Sequence, residues 1–398
     1  MRVLCSCLPG YGHLHPMVPL ARALQAAGHE VAFATESRFC PRAEHAGFVA
    51  FPAGIGPGKV LDRTLARPDV APPGPEGAWR FGAQMFAGVA APAKVPDLMR
   101  AVEAFRPALV VHDVTDFAGP VAAAAAGLPW VAHSLGPLFP MEFARAAADL
   151  VGPLWEAWGV APGPLGGMLS APYLDICPAS LQSPEASELG PVAVGMRPVP
   201  FDAVAGEALP SWAEALAPGP TVYVTLGTLD NDAPGVIEAA VEGVRDRAAN
   251  VVVTVGPNRD PAELGPQPPH VHVERYLPQS ALFPRCDLVV GHGGSGTTLA
   301  ALAAGLPLLL LPQGANQFWN AERCAALGAG LRLLPDEVNP AAVAAAADAL
   351  LGEPGFRRHA GRLAAEIAAM PPPARVVPRL EALAGAGPGG GDGGLTRR

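Results

Sequence analysis

Two stretches of this sequence repeat one rhythm: a short apolar run, a glycine-bearing turn, then a segment whose apolar residues fall at helical spacing. The first opens the chain. MRVLCSCL is an apolar run of strand length, PGYGHLHP reads as a turn-rich loop, and MVPLARALQAAG sets Val18, Ala21, Leu24 and Ala27 at helical spacing before Gly28, a natural helix stop. HEVAFAT follows as a second strand. Strand, helix, strand in this order implies parallel strands joined by crossover helices, so the expectation is a doubly wound α/β sheet. The pattern continues through PALVVHD (107–113), a helix ending at Gly127, WVAHS, and the strands within YLDICPAS and LGPVAVG.

Residues 196–219 interrupt it with several prolines and little periodicity, the mark of a linker. The rhythm then restarts: TVYVTLG, GVIEAAVEGVRDR, NVVVTVG, VHVERYLP, CDLVVGHGGSGTTLAALAAG, PLLLLP and LRLLP alternate strand with helix, and 340–369 add two helices. We therefore expect two β/α domains of similar build, 1–205 and 206–384, with ligands bound at the carboxyl ends of the strands and a cleft between the domains. Residues 52–78, rich in Pro and Gly, read as a long mobile loop; 79–106 read as helical; and 385–398 read as a flexible tail without core-forming content.

Composition narrows the function. A net charge of −9 disfavours a nucleic-acid binder or a protein held to an anionic membrane, since both neutralise phosphates with clustered Lys and Arg. No uncharged apolar run is long enough to span a bilayer, and the opening residues, broken by Pro9 and Gly10, do not have the build of a signal peptide, so a cytoplasmic protein is expected. The six cysteines have no paired metal spacing and read as buried, reduced thiols.

The most informative segment is CDLVVGHGGSGTTLAAL. A strand runs into His292, Gly293, Gly294, Ser295, Gly296, Thr297 and Thr298 as a helix begins. Glycines let backbone N–H groups approach an anion, and the first turn of a helix leaves N–H groups unpaired and partially positive. This is the build of a phosphate cradle. A Walker loop would need Lys where Thr297 stands, and the Gly10-x-Gly12 at the start of the chain meets His15 where a dinucleotide fingerprint needs its third glycine. The plainer alternative is a turn needed only for tight strand–helix packing.

HGGSGTT followed by LAAGLPLLLLPQGANQFWNAERCAALGAG resembles the nucleotide-sugar signature of the family 1 glycosyltransferases, and GYGHLHPMVPLARALQAAGHEVAFAT resembles their N-terminal acceptor motif. The similarity covers nearly the whole chain and is closest to bacterial enzymes that glycosylate antibiotics and other natural products. It implies the GT-B fold, two facing Rossmann-like domains, and inverting sugar transfer without a metal. The donor would be a deoxysugar on a nucleoside diphosphate, with dTDP expected. No cofactor beyond that co-substrate is expected, and the other partner would be a hydrophobic aglycone. A monomer or homodimer, with or without an auxiliary protein, fits equally.

The resemblance makes His13 the base for an acceptor hydroxyl, and imidazole titrates near neutrality as that task requires. Asp113 matches the family's partner aspartate, with Asp116 as second choice and a helix N-cap as the structural alternative. His15, His112 and His133 read as structural. On the donor side the resemblance assigns His292 and Gly293–Thr297 to the diphosphate, Thr228 in the turn after TVYVTLG to the same phosphates, and Tyr276, Leu277 and Gln279 to the base and ribose. Asn316 and Gln317 stand where the family holds sugar hydroxyls with an acid–Gln pair; Asn in place of the acid fits a deoxysugar better than glucose. Asp230-Asn231-Asp232 has the spacing of a metal motif from a different glycosyltransferase fold and is read as turn residues. Trp79, Phe81, Met85, Phe86, Phe139 and Met141 are candidates to line the acceptor pocket, with helix core as the alternative for each, and the loop at 52–78 is expected to close over the acceptor. Two other readings share the phosphate turn: a GT-B nucleotide-sugar epimerase and a non-catalytic sugar-nucleotide-binding partner of another transferase.

Overall fold

The computed structural model describes residues 1–67, 70, 78–169, 172–201, 208–227, 235–256 and 259–386. They form two compact units: Met1–Cys177 with Gln182–Arg197 and the C-terminal segment from Pro371, and Pro198–Met370 with Pro178–Leu181.

The first unit is built on a seven-stranded sheet in the order β3-β2-β1-β4-β5-β6-β7. The strands are β1 (Arg2–Ser6), β2 (Glu30–Thr35), β3 (Val49–Pro52), β4 (Leu109–Asp113), β5 (Trp130–His133), β6 (Tyr173–Asp175) and β7 (Ala193–Gly195). All its pairings are parallel. Parallel strands are covered on both faces, which is why β1 and β4 read as unbroken apolar runs rather than alternating ones. Val3 lies between Val31 and Leu109, and helices carrying Val95, Leu98, Val121 and Phe143 close one face of the core.

The second unit carries a six-stranded sheet, β10-β9-β8-β11-β12-β13. Its strands are β8 (Thr221–Thr225), β9 (Asn250–Thr254), β10 (Val271–Glu274), β11 (Leu288–Gly291), β12 (Leu308–Leu310) and β13 (Gly330–Arg332), again all parallel. Val222, Val224, Val251, Val253 and Val290 pack in its core against Ile237, Val241 and Val343 from the covering helices.

In each sheet the strand order reverses beside the first strand, between β1 and β4 and between β8 and β11. The loops leaving two such strands diverge to opposite faces of the sheet, opening a crevice at their carboxyl ends. That is where the candidate residues cluster in both units.

Three sequence readings are corrected. The segment 9–16 is not an open loop: Tyr11–Leu14 form a helical turn continued by a 3₁₀ turn, His15–Met17. The segment 52–78 is not one long loop, because Pro57–Leu65 form a helix whose first position is proline, where a missing N–H costs nothing. Residues 68–69 and 71–77 of the segment expected to close over the acceptor lie outside the described residues. The helix Val377–Gly385, read as the end of the second domain, belongs to the first unit, where Glu381 bonds His29 at 2.9 Å beside the turn into β2. The first unit's main run ends at Arg197 where the sequence reading extends to 205, and 387–398 lie outside the described residues. All six cysteines are buried and none is in a disulfide. Among the described residues no helix is long and apolar enough to cross a membrane.

Candidate active site

His13 stands on the helical turn after β1, and Asp113 is the last residue of β4, so the reversal in strand order brings them together. His13 Nδ1 is 3.3 Å from Asp113 Oδ2; the imidazole is 19% exposed and the carboxylate fully buried. The same oxygen accepts the Leu8 N–H at 2.8 Å, and the other, Oδ1, accepts the N–H of Thr115 at 2.8 Å and its hydroxyl at 2.5 Å. Burial alone would raise the Asp113 pKa, but the His13 imidazole and these donors outweigh it and hold the carboxyl well below the usual range. Asp113 is therefore an anion at neutral pH, set to orient the ring and to stabilise its protonated form.

Asp113 is not a helix N-cap. The following helix begins at Ala118, and the carboxylate that meets its N–H, at 3.2 Å, is Asp116. Asp116 faces away from His13 and pairs with the buried Lys94. His112 and His133 are core residues whose Nδ1 atoms bond the carbonyls of Asp113 and Ser134 at 2.8 and 2.6 Å. Burial pushes His133 down to about 4, and burial together with Arg42 pushes His15 down to about 4. Neither has the acidity of a base working near neutrality.

In the second unit the two turns at the reversal meet. The His292 ring lies between Gly227, after β8, and Gly294: a Cβ added at Gly227 would sit 2.5 Å from its Cε1, and one at Gly294 would sit 2.4 Å from its Nε2. Gly293 has φ +87, and a Cβ there would meet the Gln317 carbonyl oxygen at 2.9 Å. Glycine is thus required on steric grounds on both sides of the ring and at the bend. Burial pushes His292 down to about 4, so the ring is neutral at pH 7, and its Nδ1 is buried with no partner among the described residues.

The helix Ser295–Ala303 starts immediately after this turn, with Gly294 as N-cap. Its ladder opens with the Thr298 N–H on the Gly294 carbonyl at 3.0 Å, so the N–H groups of Ser295, Gly296 and Thr297 precede any intrahelical acceptor. Asn316 and Asn320 brace the turn: both donate to Ser295 Oγ, at 2.9 and 3.1 Å, and Asn320 also to the Gly293 carbonyl at 2.7 Å. Gln317 is buried, and its amide oxygen is taken by the N–H groups of Gln313 and Gly314 at 2.8 and 3.1 Å.

Gln279 reaches Thr297 Oγ1 at 3.3 Å and the Tyr223 hydroxyl at 3.2 Å. From there hydroxyls run through Thr254 and Thr225 to the Gly227 N–H, in steps of 2.6, 3.0 and 3.2 Å. Tyr276 is 46% exposed, a surface ring next to this set, whereas the Leu277 side chain is buried. Thr228 and Asp230-Asn231-Asp232 lie outside the described residues.

Of the proposed acceptor-lining residues, Phe86 is the one beside the base, its ring centroid 6.3 Å from that of His13 in an edge-on arrangement. It and Met85 lie on a π-helical segment, Gln84–Ala90, a geometry that widens the helix and recurs at functional sites. Trp79 and Phe139 are partly exposed and contact each other at 6.1 Å, while Phe81 and Met141 are buried. Phe143, which the sequence reading passed over, is the buried hub of this cluster and meets Trp79, Phe86, Phe117 and Phe139. Also missed were Thr115, Lys94, Tyr223 and Asn320. The Asx-like spacing of Asp113 and Thr115 and the i, i+4 spacing of Asn316 and Asn320 were available signals; nothing marked Lys94 or Tyr223.

Two doubly wound parallel sheets, one with an imidazole beside a buried carboxylate and the other with a glycine turn that opens a helix, have the build of a GT-B glycosyltransferase. The chain belongs to the erythromycin biosynthesis protein CIII-like family, whose N-terminal and C-terminal domain models match residues 79–227 and 238–383. Similar curated proteins include an L-demethylnoviosyl transferase of Streptomyces niveus, 37% identical over 96% of this chain and 98% of that one. Another is the elloramycin glycosyltransferase ElmGT of Streptomyces olivaceus, 34% identical over 97% and 98%. Among solved structures, the glycosyltransferase SnogD from Streptomyces nogalater is 33% identical with a TM-score of 0.77, covering 96% of this chain and 99% of its own. The spinosyn rhamnosyltransferase SpnG in complex with thymidine diphosphate is 30% identical with a TM-score of 0.81, covering 96% and 100%.

Proposed function

We propose that the chain transfers a deoxysugar from a thymidine diphosphate carrier to a hydroxyl of a hydrophobic natural-product aglycone, with inversion at the anomeric carbon and without a metal. The observation that carries this reading is the His13–Asp113 pair, 3.3 Å apart at the strand-order reversal of the first unit. With Nδ1 carrying its proton toward Asp113 Oδ2 and Thr115 Oγ1, each at 3.3 Å, Nε2 keeps the lone pair that accepts the acceptor hydroxyl's proton. The acceptor oxygen bonds the anomeric carbon as the bond to the diphosphate oxygen breaks, a single displacement that inverts configuration. A positioned base of this kind contributes about 10²–10⁴-fold.

The leaving diphosphate gathers charge as that bond breaks. The first-turn N–H groups of the helix Ser295–Ala303 and the neutral His292 ring are donors suited to it, and such preorganised donors are each worth about 10²–10³-fold. Metal independence belongs to the reading because these donors take the role a cation would otherwise have. Thymine as the base is supported by the relative solved with thymidine diphosphate. A deoxysugar is supported by the engagement of Asn316 with Ser295 and of Gln317 with its own loop, which leaves fewer partners for sugar hydroxyls. A hydrophobic aglycone is supported by Phe86 beside His13, and by the SpnG structure that holds a spinosyn aglycone. The same reading puts the enzyme in the cytoplasm with its donor and takes the nucleotide sugar as a co-substrate rather than a resident cofactor.

A thermal-shift panel of TDP, UDP, GDP and ADP tests the donor half of the reading. Stabilisation follows RT ln(1 + [L]/Kd), so TDP should raise the midpoint most. Equal shifts with all four would remove thymine from the proposal, and no shift with any would remove the nucleotide site.

A further inference from the structure

We propose that the buried Lys94–Asp116 ion pair is a positioning element for His13, acting through the Cys7–Leu8 peptide group. The inference rests on the reading of His13 as the base. Lys94, on the helix Ala91–Phe105, is 2% exposed and Asp116 is 1% exposed. Lys94 Nζ lies 2.6 Å from Asp116 Oδ2 and donates to the carbonyls of Cys7 and Ala34 at 2.7 and 3.3 Å. All three ammonium donors are thereby used at the carboxyl ends of β1 and β2. Ser6 donates to the same Asp116 oxygen at 2.5 Å.

The Cys7 carbonyl and the Leu8 N–H belong to one planar peptide, in which they point in opposite directions. The carbonyl end is held by the Lys94 ammonium, and the N–H end donates to Asp113 Oδ2 at 2.8 Å. That oxygen is the one facing His13 Nδ1. Fixing the carbonyl therefore fixes the N–H that sets the carboxylate, and the ammonium polarises the peptide so that its N–H is a stronger donor.

Stability alone does not explain such a pair. Apolar residues of similar volume are often as stabilising as a buried ion pair, so stability does not account for this one, and its place under the His13 turn points to orientation. The stem of Lys94 passes directly beside Gly54, where an added Cβ would lie 3.3 Å from Lys94 Cβ. The ionisable groups packed around the peptide are Asp113 at the end of β4, Asp116 beyond it, Lys94, the Cys7 thiol and His112; burial pushes the thiol up and the imidazole down.

The test is K94M/D116N in the full chain, which removes both charges together and leaves no lone charge buried. Diethylpyrocarbonate modification of His13 is followed against pH by the mass of its peptide, with no sugar nucleotide present. The released carboxylate turns toward Thr115, so the His13 midpoint should fall by about half a pH unit or more. Arg100→Ala, on the exposed side of the same helix, should leave it unchanged. Leu8→Pro deletes the N–H itself and should move the midpoint in the same direction, which keeps the test open if the double variant does not fold. A wild-type or raised midpoint in either folded variant overturns the proposal. Because the readout is the imidazole, it is separable from the reading as a transferase, which fails instead if the wild-type chain moves no sugar.

Discussion

The ring of His292 fills the space that a side chain at Gly227 would need, with Cε1 2.5 Å from where that Cβ would be. The two residues leave adjacent parallel strands, β8 and β11, at the reversal of strand order, so their contact is a consequence of topology. Gly227→Ala should displace the ring and weaken TDP binding by about tenfold or more, measured by calorimetry. Gly305→Ala is the control: φ there is a similar +70, but its Cβ would have neighbours no closer than 3.7 Å. It should cost stability of about 1 kcal/mol without changing affinity. Equal losses of affinity in both would assign the effect to backbone strain and not to the ring.

Asp113 links pH both to stability and to turnover. Its folded pKa is depressed, so its contribution to stability is complete above the unfolded value of about 3.9 and is lost as pH falls through the lower folded value. The stability difference between wild type and Asp113→Asn should therefore shrink in acid as pH falls below about 4, as urea titrations at several pH values would show. At pH 7 the same variant should lose transfer by about 10²–10⁴-fold, because a neutral amide cannot stabilise the imidazolium. A stability difference that grows below pH 4 would contradict the assignment.

Phe86 and Phe143 separate acceptor contact from core. Phe86 is partly exposed and edges onto His13, whereas Phe143 is buried. Phe86→Ala should raise the acceptor KM about tenfold with TDP affinity unchanged. Phe143→Ala should instead cost about 3–5 kcal/mol of stability in chemical denaturation. An unchanged acceptor KM in Phe86→Ala would remove the π-helical segment from the acceptor side.

Much of the fold was legible because parallel strands buried on both faces leave long apolar runs, and because glycines mark the turns between them. The glycine turn before the helix Ser295–Ala303 was legible for the same reason, because His292 to Thr297 are consecutive residues. His13 and Asp113 are a hundred residues apart, and only the resemblance paired them; the strand order explains why they meet. The helical turns at 11–17 and 57–65 were hidden by Gly10, Gly12, Pro16 and Pro57, residues that read as loop but are tolerated in first turns. Lys94 was illegible in principle. It sits among alanines and prolines, and its partners, the Cys7 and Ala34 carbonyls, are backbone atoms that only folding brings within reach.

The Asn316 substitution tests the sugar. In the wild type its amide donates to Ser295. Asn316→Asp restores an acceptor for sugar hydroxyls and should raise turnover of TDP-glucose relative to a TDP-deoxysugar by about tenfold in a competition assay. An unchanged ratio would separate this position from sugar choice.

In the proposed reaction the two units divide the labour: a proton is taken in the first and the diphosphate is held in the second. Measuring TDP affinity and sugar transfer side by side in His13→Ala and His292→Ala tests it most directly, using an aglycone that the wild type glycosylates. His13→Ala should bind TDP like the wild type and lose transfer by about 10²–10⁴-fold, while His292→Ala should lose TDP affinity as well as rate. Wild-type transfer by His13→Ala, or loss of TDP binding in that variant, would contradict it.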